Sequence, residues 1–266
     1  MAGLRISRAW DATLAVLKRD ARLLAPVALA FMVVPATLYA LAVPDPTPGQ
    51  MPKPGIGGLL YVVLMIVALL GQMAIIRLAI GPVTSVGEAI RHALRRAPAV
   101  IGAGLIFALP VALVLTPILL PIMANPTRPP PLPSLLLVIA SIVVLGVWIR
   151  LMLATAAGVA EPIGPVAIIK RSWALTRGNF WKLLGSLIAF GIVAWIVILA
   201  VQWVIGAVLI VALGKPEPWS VAALLLALIG AITQTIASVV FAVLLARIYL
   251  DLAGAQPPVT VPNSGT

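Results

Sequence analysis

Long apolar runs alternate along this chain with short stretches that are either proline-rich or basic. A membrane-spanning helix takes roughly 20 mostly apolar residues. Six runs meet that length: 23–43, 56–80, 99–123, 134–160, 183–213 and 220–250. "PDPTPGQMPKPG" ends the first run, since Pro and Gly there stop a helix. The third run holds Pro110, Pro117 and Pro121, which predict a kink or early fraying. "ANPTRPPPLP" predicts an extended polyproline-type loop, and "GKPEPW" a turn. The closing stretch 254–266 predicts a disordered tail.

Between the runs the periodicity changes. Ile6, Trp10, Leu14 and Leu17 step by three and four, as one face of a helix does, with Arg8, Lys18, Arg19 and Arg22 on other faces. Val166, Ile169, Trp173 and Phe180 repeat the pattern, with Lys170, Arg171 and Arg177 off the stripe. Helices of this kind lie in the headgroup plane, apolar side inward. Tryptophan suits that depth, because its ring is apolar and its N–H can stay wet. Gly178 and Asn179 then supply a helix stop, since both tolerate the left-handed conformation. The stretch "RSWALTRGNFW", which includes Arg171, Trp173, Arg177, Gly178, Asn179 and Trp181, therefore predicts an elbow between a helix lying on the membrane and one crossing it.

Composition fixes the class. Of 266 residues, 62% are hydrophobic and 9% charged, and the mean hydropathy is +1.18. A soluble domain carries nearer ~25% charged residues, so an all-α integral membrane protein is expected, as one membrane domain over 1–253. The absence of cysteine excludes a disulfide framework or a thiolate metal site, and a lone His92 argues against a histidine-rich one. No metal and no cofactor is expected. His92, beside Arg91 and Arg95, reads as a solvated residue. The net charge of +11 points, in this setting, to anionic headgroups rather than to nucleic acid.

Charge also sets orientation. Arg5, Arg8, Lys18, Arg19, Arg22, Arg91, Arg95, Arg96, Lys170, Arg171, Arg177 and Lys182 flank the runs on one side, against Lys53, Arg128 and Lys215 on the other. Twelve against three places both termini in the cytoplasm, in an inner (plasma) membrane of bacterial type. The basic stretch before Leu23 contains Asp11 and Asp20 and departs from a short positive n-region, so no cleaved signal peptide is expected.

The basic segments recur. Leu17-Lys18-Arg19, Leu94-Arg95-Arg96 and Leu175-Thr176-Arg177 align at offsets of 77 and 81 residues. Each precedes a pair of spans, which predicts three parallel repeats (1–80, 81–160 and 161–253) of an amphipathic interfacial helix plus a helical hairpin.

Charges inside apolar spans are costly and are ligand-site candidates by default. Arg77, Arg150 and Arg247 each fall in the second span of a repeat, toward the basic side. Packed around a threefold axis they would converge, and guanidinium forks match phosphate oxygens. The alternative is that each snorkels to the interface. Glu161 closes the fourth span and can pair with Arg150 or Arg171, or simply be solvated. Gln72, Gln202 and Gln234 suit interhelical hydrogen bonds, and Gly185/Ala189 and Ala154/Gly158 are packing signals. No hydrolase constellation or phosphate-cradling loop is present, so no enzyme is expected.

The block 161–185, "EPIGPVAIIKRSWALTRGNFWKLLG", resembles the glycerophosphoryl diester phosphodiesterase membrane domain family in its acid at a helix end, its elbow and its following span. "ARIYLDL", 246–252, is similar to the family's terminal pattern. The resemblance covers 1–253, with the distinctive motif confined to the third repeat. Some relatives carry a soluble phosphodiesterase barrel that supplies catalysis. Only a short tail follows Leu252, so the resemblance implies a membrane domain without that barrel. The resulting expectation is a non-enzymatic protein that binds or organises anionic phospholipid, or a glycerophospho-compound, at the cytoplasmic face. The alternatives are a transporter of a small anionic or lipid-derived solute using Arg77, Arg150 and Glu161, and a membrane anchor for a partner phosphodiesterase. The sequence leaves a homo-oligomer open.

Overall fold

The computed structural model describes residues 6–42, 56–81, 85–125, 127–214, 216–217 and 219–254. Every regular element among them is a helix: α1 (Ile6–Ala28), a π-helical turn (Leu29–Val33), α2 (Val34–Ala42), α3 (Ile56–Ile80), α4 (Val86–Ala124), α5 (Pro131–Leu151), α6 (Ala154–Ala160), α7 (Pro165–Thr176), α8 (Phe180–Leu213) and α9 (Val221–Ala253). Six helical stretches are long and apolar enough to cross a membrane, as the apolar runs predicted. Residues 255–266, nearly all of the expected disordered tail, lie outside the described residues, as do the basic residues Arg5, Lys53 and Lys215.

The predicted separation of interfacial helix from span holds only in the third basic segment. In the first, helix continues from Ile6 to Ala42 through the π turn. Pro26 and Pro35 flank this turn, and each lacks the N–H of a regular ladder. In the second, α4 runs 39 residues without a break, carrying Pro98, Pro110, Pro117 and Pro121 inside it. The early fraying predicted at these prolines does not occur. A capping box starts α4: Ser85 Oγ accepts from Glu88 N at 3.3 Å, and Ser85 N donates to Glu88 Oε2 at 3.2 Å. The predicted polyproline loop is shorter than expected, because α5 begins at Pro131, where a missing N–H costs nothing. The fourth span, expected to be continuous, breaks at Met152–Leu153 between α5 and α6.

Packing is concentrated at one end. Met73, Ala74, Ile75 and Ile76 of α3, Ala156 and Ala157 of α6, and Ala242, Val243 and Ala246 of α9 have no exposure. There α3, α6 and α9 touch one another, with α4 laid on α3 and α6, α7 on α4 and α6, and α1 on α3 and α9. Small residues let these backbones approach, which is what drives helix association in lipid. A Cβ at Gly71 would come within 2.6 Å of Phe31 Cβ, and one at Gly158 within 2.6 Å of Val100 Cγ2. Away from this end, α4, α5 and α8 present apolar side chains outward, with Leu113 78% and Val211 89% exposed. A lipid-facing surface needs that polarity.

Candidate functional site

The packed end is also the basic end, and its polar residues sort into distinct constellations. The first closes α6. The last carbonyls of a helix have no partner within it, and here α4 supplies donors. Arg96 Nε donates to Gly158 O at 2.8 Å, and Arg96 Nη2 donates to Glu161 O at 2.6 Å and Ile163 O at 2.7 Å. His92 Nε2 lies 2.8 Å from Val159 O. A carbonyl only accepts, so Nε2 is the protonated nitrogen in this contact. Cationic donors at a helix C-terminus also complement its dipole. The expectation of a solvated His92 is therefore corrected: it is half-buried and fixed to α6.

The second constellation joins three helices through one carboxylate. Glu161 Oε1 accepts from Arg171 Nε of α7 at 2.8 Å and from Tyr249 Oη of α9 at 2.7 Å. Of the two partners considered for Glu161, Arg171 is the one it takes. The Arg171 guanidinium is held above its ordinary pKa chiefly by that hydrogen bond, while burial opposes the rise.

Arg150 lies in a different setting. Its Cζ is 5.4 Å from the Trp173 ring centroid and 5.3 Å from that of Phe180, a cation–π bracket. Its carbonyl accepts from Ser172 Oγ at 2.8 Å and lies 3.3 Å from Thr176 Oγ1. These two hydroxyls, both on α7, engage the carbonyl freed where α5 ends, so the break in the fourth span has a tertiary partner. Arg150 Nη1 is buried without a hydrogen-bond partner, as is Arg247 Nε. Arg247 stands within electrostatic reach of the Arg19–Asp20 pair, itself closed at 2.8–2.9 Å.

Arg77 ends α3 and faces α4. With Glu88, Arg91, His92 and Arg95 it lines a cavity of about 370 Å³. Among the described residues, no hydrogen bond or ion pair joins Arg77, Arg150 and Arg247.

At the elbow, Gly178 adopts φ +85°, where a side chain is disfavoured, and α8 starts at Phe180 after Asn179. Trp181 is 78% exposed. Ile169, Lys170, Trp173, Ala174 and Arg177 line a hollow of about 380 Å³. The apolar stripes of α1 and α7 are only partly turned outward: Ile6, Trp10, Leu14, Val166 and Trp173 are exposed, while Leu17, Ile169 and Phe180 pack against the core.

The sequence reading missed Arg91, Arg95, Arg96 and Tyr249. A signal was present for the first three. Arg91/Arg95 and His92/Arg96 are two i,i+4 pairs on adjacent faces of one helix. One pair lines the cavity and the other caps α6. Tyr249 is an aromatic within an apolar run, and although the stretch 246–252 was singled out, nothing in it points to Glu161 as a partner.

Fold and site together define a polytopic, all-α membrane protein with its polar networks gathered at one end. The chain belongs to the family described as a domain of unknown function (DUF7847), whose model matches residues 4–252. No curated protein and no solved structure matches it.

Proposed function

We propose that this chain is a non-enzymatic membrane protein that holds anionic phospholipid, or a glycerophospho-compound, at the end carrying its basic helices. The observation that carries this reading is the elbow hollow. Lys170 and Arg177 offer two cations beside the exposed Trp173 ring, on a helix that also exposes Val166. That combination suits a negatively charged headgroup at interfacial depth. The resemblance of 161–185 to the glycerophosphoryl diester phosphodiesterase membrane domain supports the same ligand class. The loop charge asymmetry supports cytoplasmic placement of this end and of both termini, in an inner membrane. The mutual contact of α3, α6 and α9, each with a basic helix laid beside it, supports the threefold repeat.

Passage of a charged solute is less well supported. Two cavities of about 440 Å³ along the spans, one between α4 and α5 and one between α1 and α9, have almost wholly apolar walls. Catalysis also lacks a free acid among the best-placed carboxylates: Glu161 is bound by Arg171 and Tyr249, and Asp20 by Arg19.

The test is native mass spectrometry from nanodiscs of mixed phosphatidylcholine and phosphatidylglycerol, with an unrelated six-span protein as control. Phosphatidylglycerol enriched on the wild type and lost from Lys170→Gln/Arg177→Gln is the expected result. Equal lipid profiles for wild type, variant and control would reject the reading.

A further inference from the structure

The cavity between the end of α3 and the first turns of α4 is built differently from the elbow, and among the described residues no ion pair takes up its arginine charge. Its lining is Arg77, Glu88, Arg91, His92 and Arg95. Three guanidinium groups face one carboxylate, and that carboxylate already accepts Ser85 N in the capping box. Arg77, Arg91 and Arg95 enter no ion pair among the described residues. Three cations beside a single carboxylate leave the cavity with an excess of positive charge.

The helices place these groups on the cavity wall. Arg91 and Arg95 sit one turn apart on the face of α4 toward the cavity. His92 is tied through Nε2 to Val159 of α6, leaving Nδ1 without a protein partner among the described residues. Arg77 folds back over Gly81: a Cβ placed there would lie 3.6 Å from Arg77 Cζ and 3.7 Å from Nη1. Those are ordinary contact distances, the tighter one being 3.2 Å to Arg77 O, so a bare Cβ would sit beside the guanidinium and a branched side chain would press on it. The volume of about 370 Å³ falls within the roughly 300–1,000 Å³ of small-molecule sites, and exceeds what a bare anion needs.

We infer that this cavity binds a terminal phosphate group, a phosphomonoester dianion, held by Arg77, Arg91 and Arg95. A phosphomonoester carries about −1.5 to −2 charges near neutral pH, which matches three guanidinium groups less one carboxylate. A phosphodiester, with one charge, would leave the cluster under-neutralised. The phosphate can belong to a phosphatidic-acid headgroup or to a soluble ester. The chemistry is the same, and the experiment separates the two. The inference does not depend on lipid binding at the elbow.

Two arms test it on the full chain. In detergent, calorimetry measures inorganic phosphate and glycerol phosphate against wild type, Arg77→Gln, Arg91→Gln and Gly81→Val. In nanodiscs of phosphatidylcholine with phosphatidic acid, native mass spectrometry measures retained lipid for the same set. Losing one charge-assisted contact should weaken binding about tenfold or more. Gly81→Val, which alters no charge, should also weaken it by displacing Arg77. Arg91 is exposed, so Arg91→Gln keeps the test valid if Arg77→Gln fails to fold. Binding of the soluble probes assigns the site to a free phosphoester. Enrichment of phosphatidic acid alone, lost in Arg91→Gln, assigns it to a lipid. Absence of both, or variants that bind like wild type, overturns the inference. Lys170→Gln/Arg177→Gln should leave binding of the soluble probes unchanged, so failure of the elbow reading registers separately.

Discussion

Arg96 of α4 donates through Nε to the carbonyl of Gly158, 62 residues further along the chain, at 2.8 Å, and through Nη2 to Glu161 and Ile163. One guanidinium thus closes a helix end that its own segment cannot close. Arg96→Met would leave two carbonyls, Gly158 and Ile163, to find other donors, since Glu161 O also accepts from Ile163 N at 2.8 Å. At about 1–3 kcal/mol for each unsatisfied group, discounted for partial exposure, the expected loss is about 2–4 kcal/mol. Arg96→Lys should recover only part of it, because one ammonium cannot span three divergent carbonyls. Thermal unfolding in detergent checks both, and equal stability of Arg96→Met and wild type would reject the capping role.

The Glu161 carboxylate ranks its two partners by burial. Tyr249 is 3% exposed, whereas the Arg171 side chain is 39% exposed. An exposed ion pair is worth about 0–1 kcal/mol. A buried hydroxyl bond is worth about 1 kcal/mol, and more where its loss strands the partner. Tyr249→Phe should therefore destabilise more than Arg171→Met, despite removing no charge. The pH behaviour follows from the sign of the Arg171 shift. A cation whose folded pKa is raised contributes fully below its unfolded value, and for arginine that lies far above neutrality. The stability gap between wild type and Arg171→Met should stay level from about pH 6 to 9. A gap that closes within that window would mean a different group controls the contact.

The two small-residue pairs picked out in the sequence prove unequal. Gly158 is pressed against Val100 and Ile168, whereas a Cβ at Gly185 would meet nothing within 4 Å. Gly158→Ala should cost about 1–3 kcal/mol through overpacking. Gly185→Ala should be neutral or stabilise the helix by up to about 1 kcal/mol. The spacing of small residues does not say which neighbour will lie across from it; only the tertiary arrangement does. The same measurements on Gly71→Ala, opposite Phe31, extend the contrast.

The spans were legible because their length and polarity are set by lipid rather than by tertiary contacts. The helix breaks were legible only in part. The alignment places Gly178 opposite Asp20 and Ala97. Only the third segment has a residue suited to φ +85°, and only there does the chain turn. The first two segments run on as helix, because neither Asp nor Ala stops one there. The break after Arg150 was not legible, since the donor that meets the Arg150 carbonyl there, Ser172 Oγ, lies on another helix. Gly178→Ala should cost about 1 kcal/mol or more through the positive φ. A substitution without effect on unfolding would show that the elbow tolerates a different turn.

Arg150 poses the sharpest choice between ligand and scaffold. Its guanidinium lies between Trp173 and Phe180, and one of its nitrogens is buried without a partner. The two ring contacts favour it by about 0.5–2 kcal/mol each. The stranded donor opposes it by about 1–3 kcal/mol. The two effects are of similar size, so Arg150→Met, which keeps an apolar chain between the rings, should shift stability by no more than about 1 kcal/mol. Lipid retention should also persist, since the aromatic bracket already covers this cation and the open cationic surfaces lie at Lys170/Arg177 and at Arg77/Arg91/Arg95. Selective loss of bound phospholipid in Arg150→Met, with folding intact, would return Arg150 to the ligand site and displace the elbow as its centre.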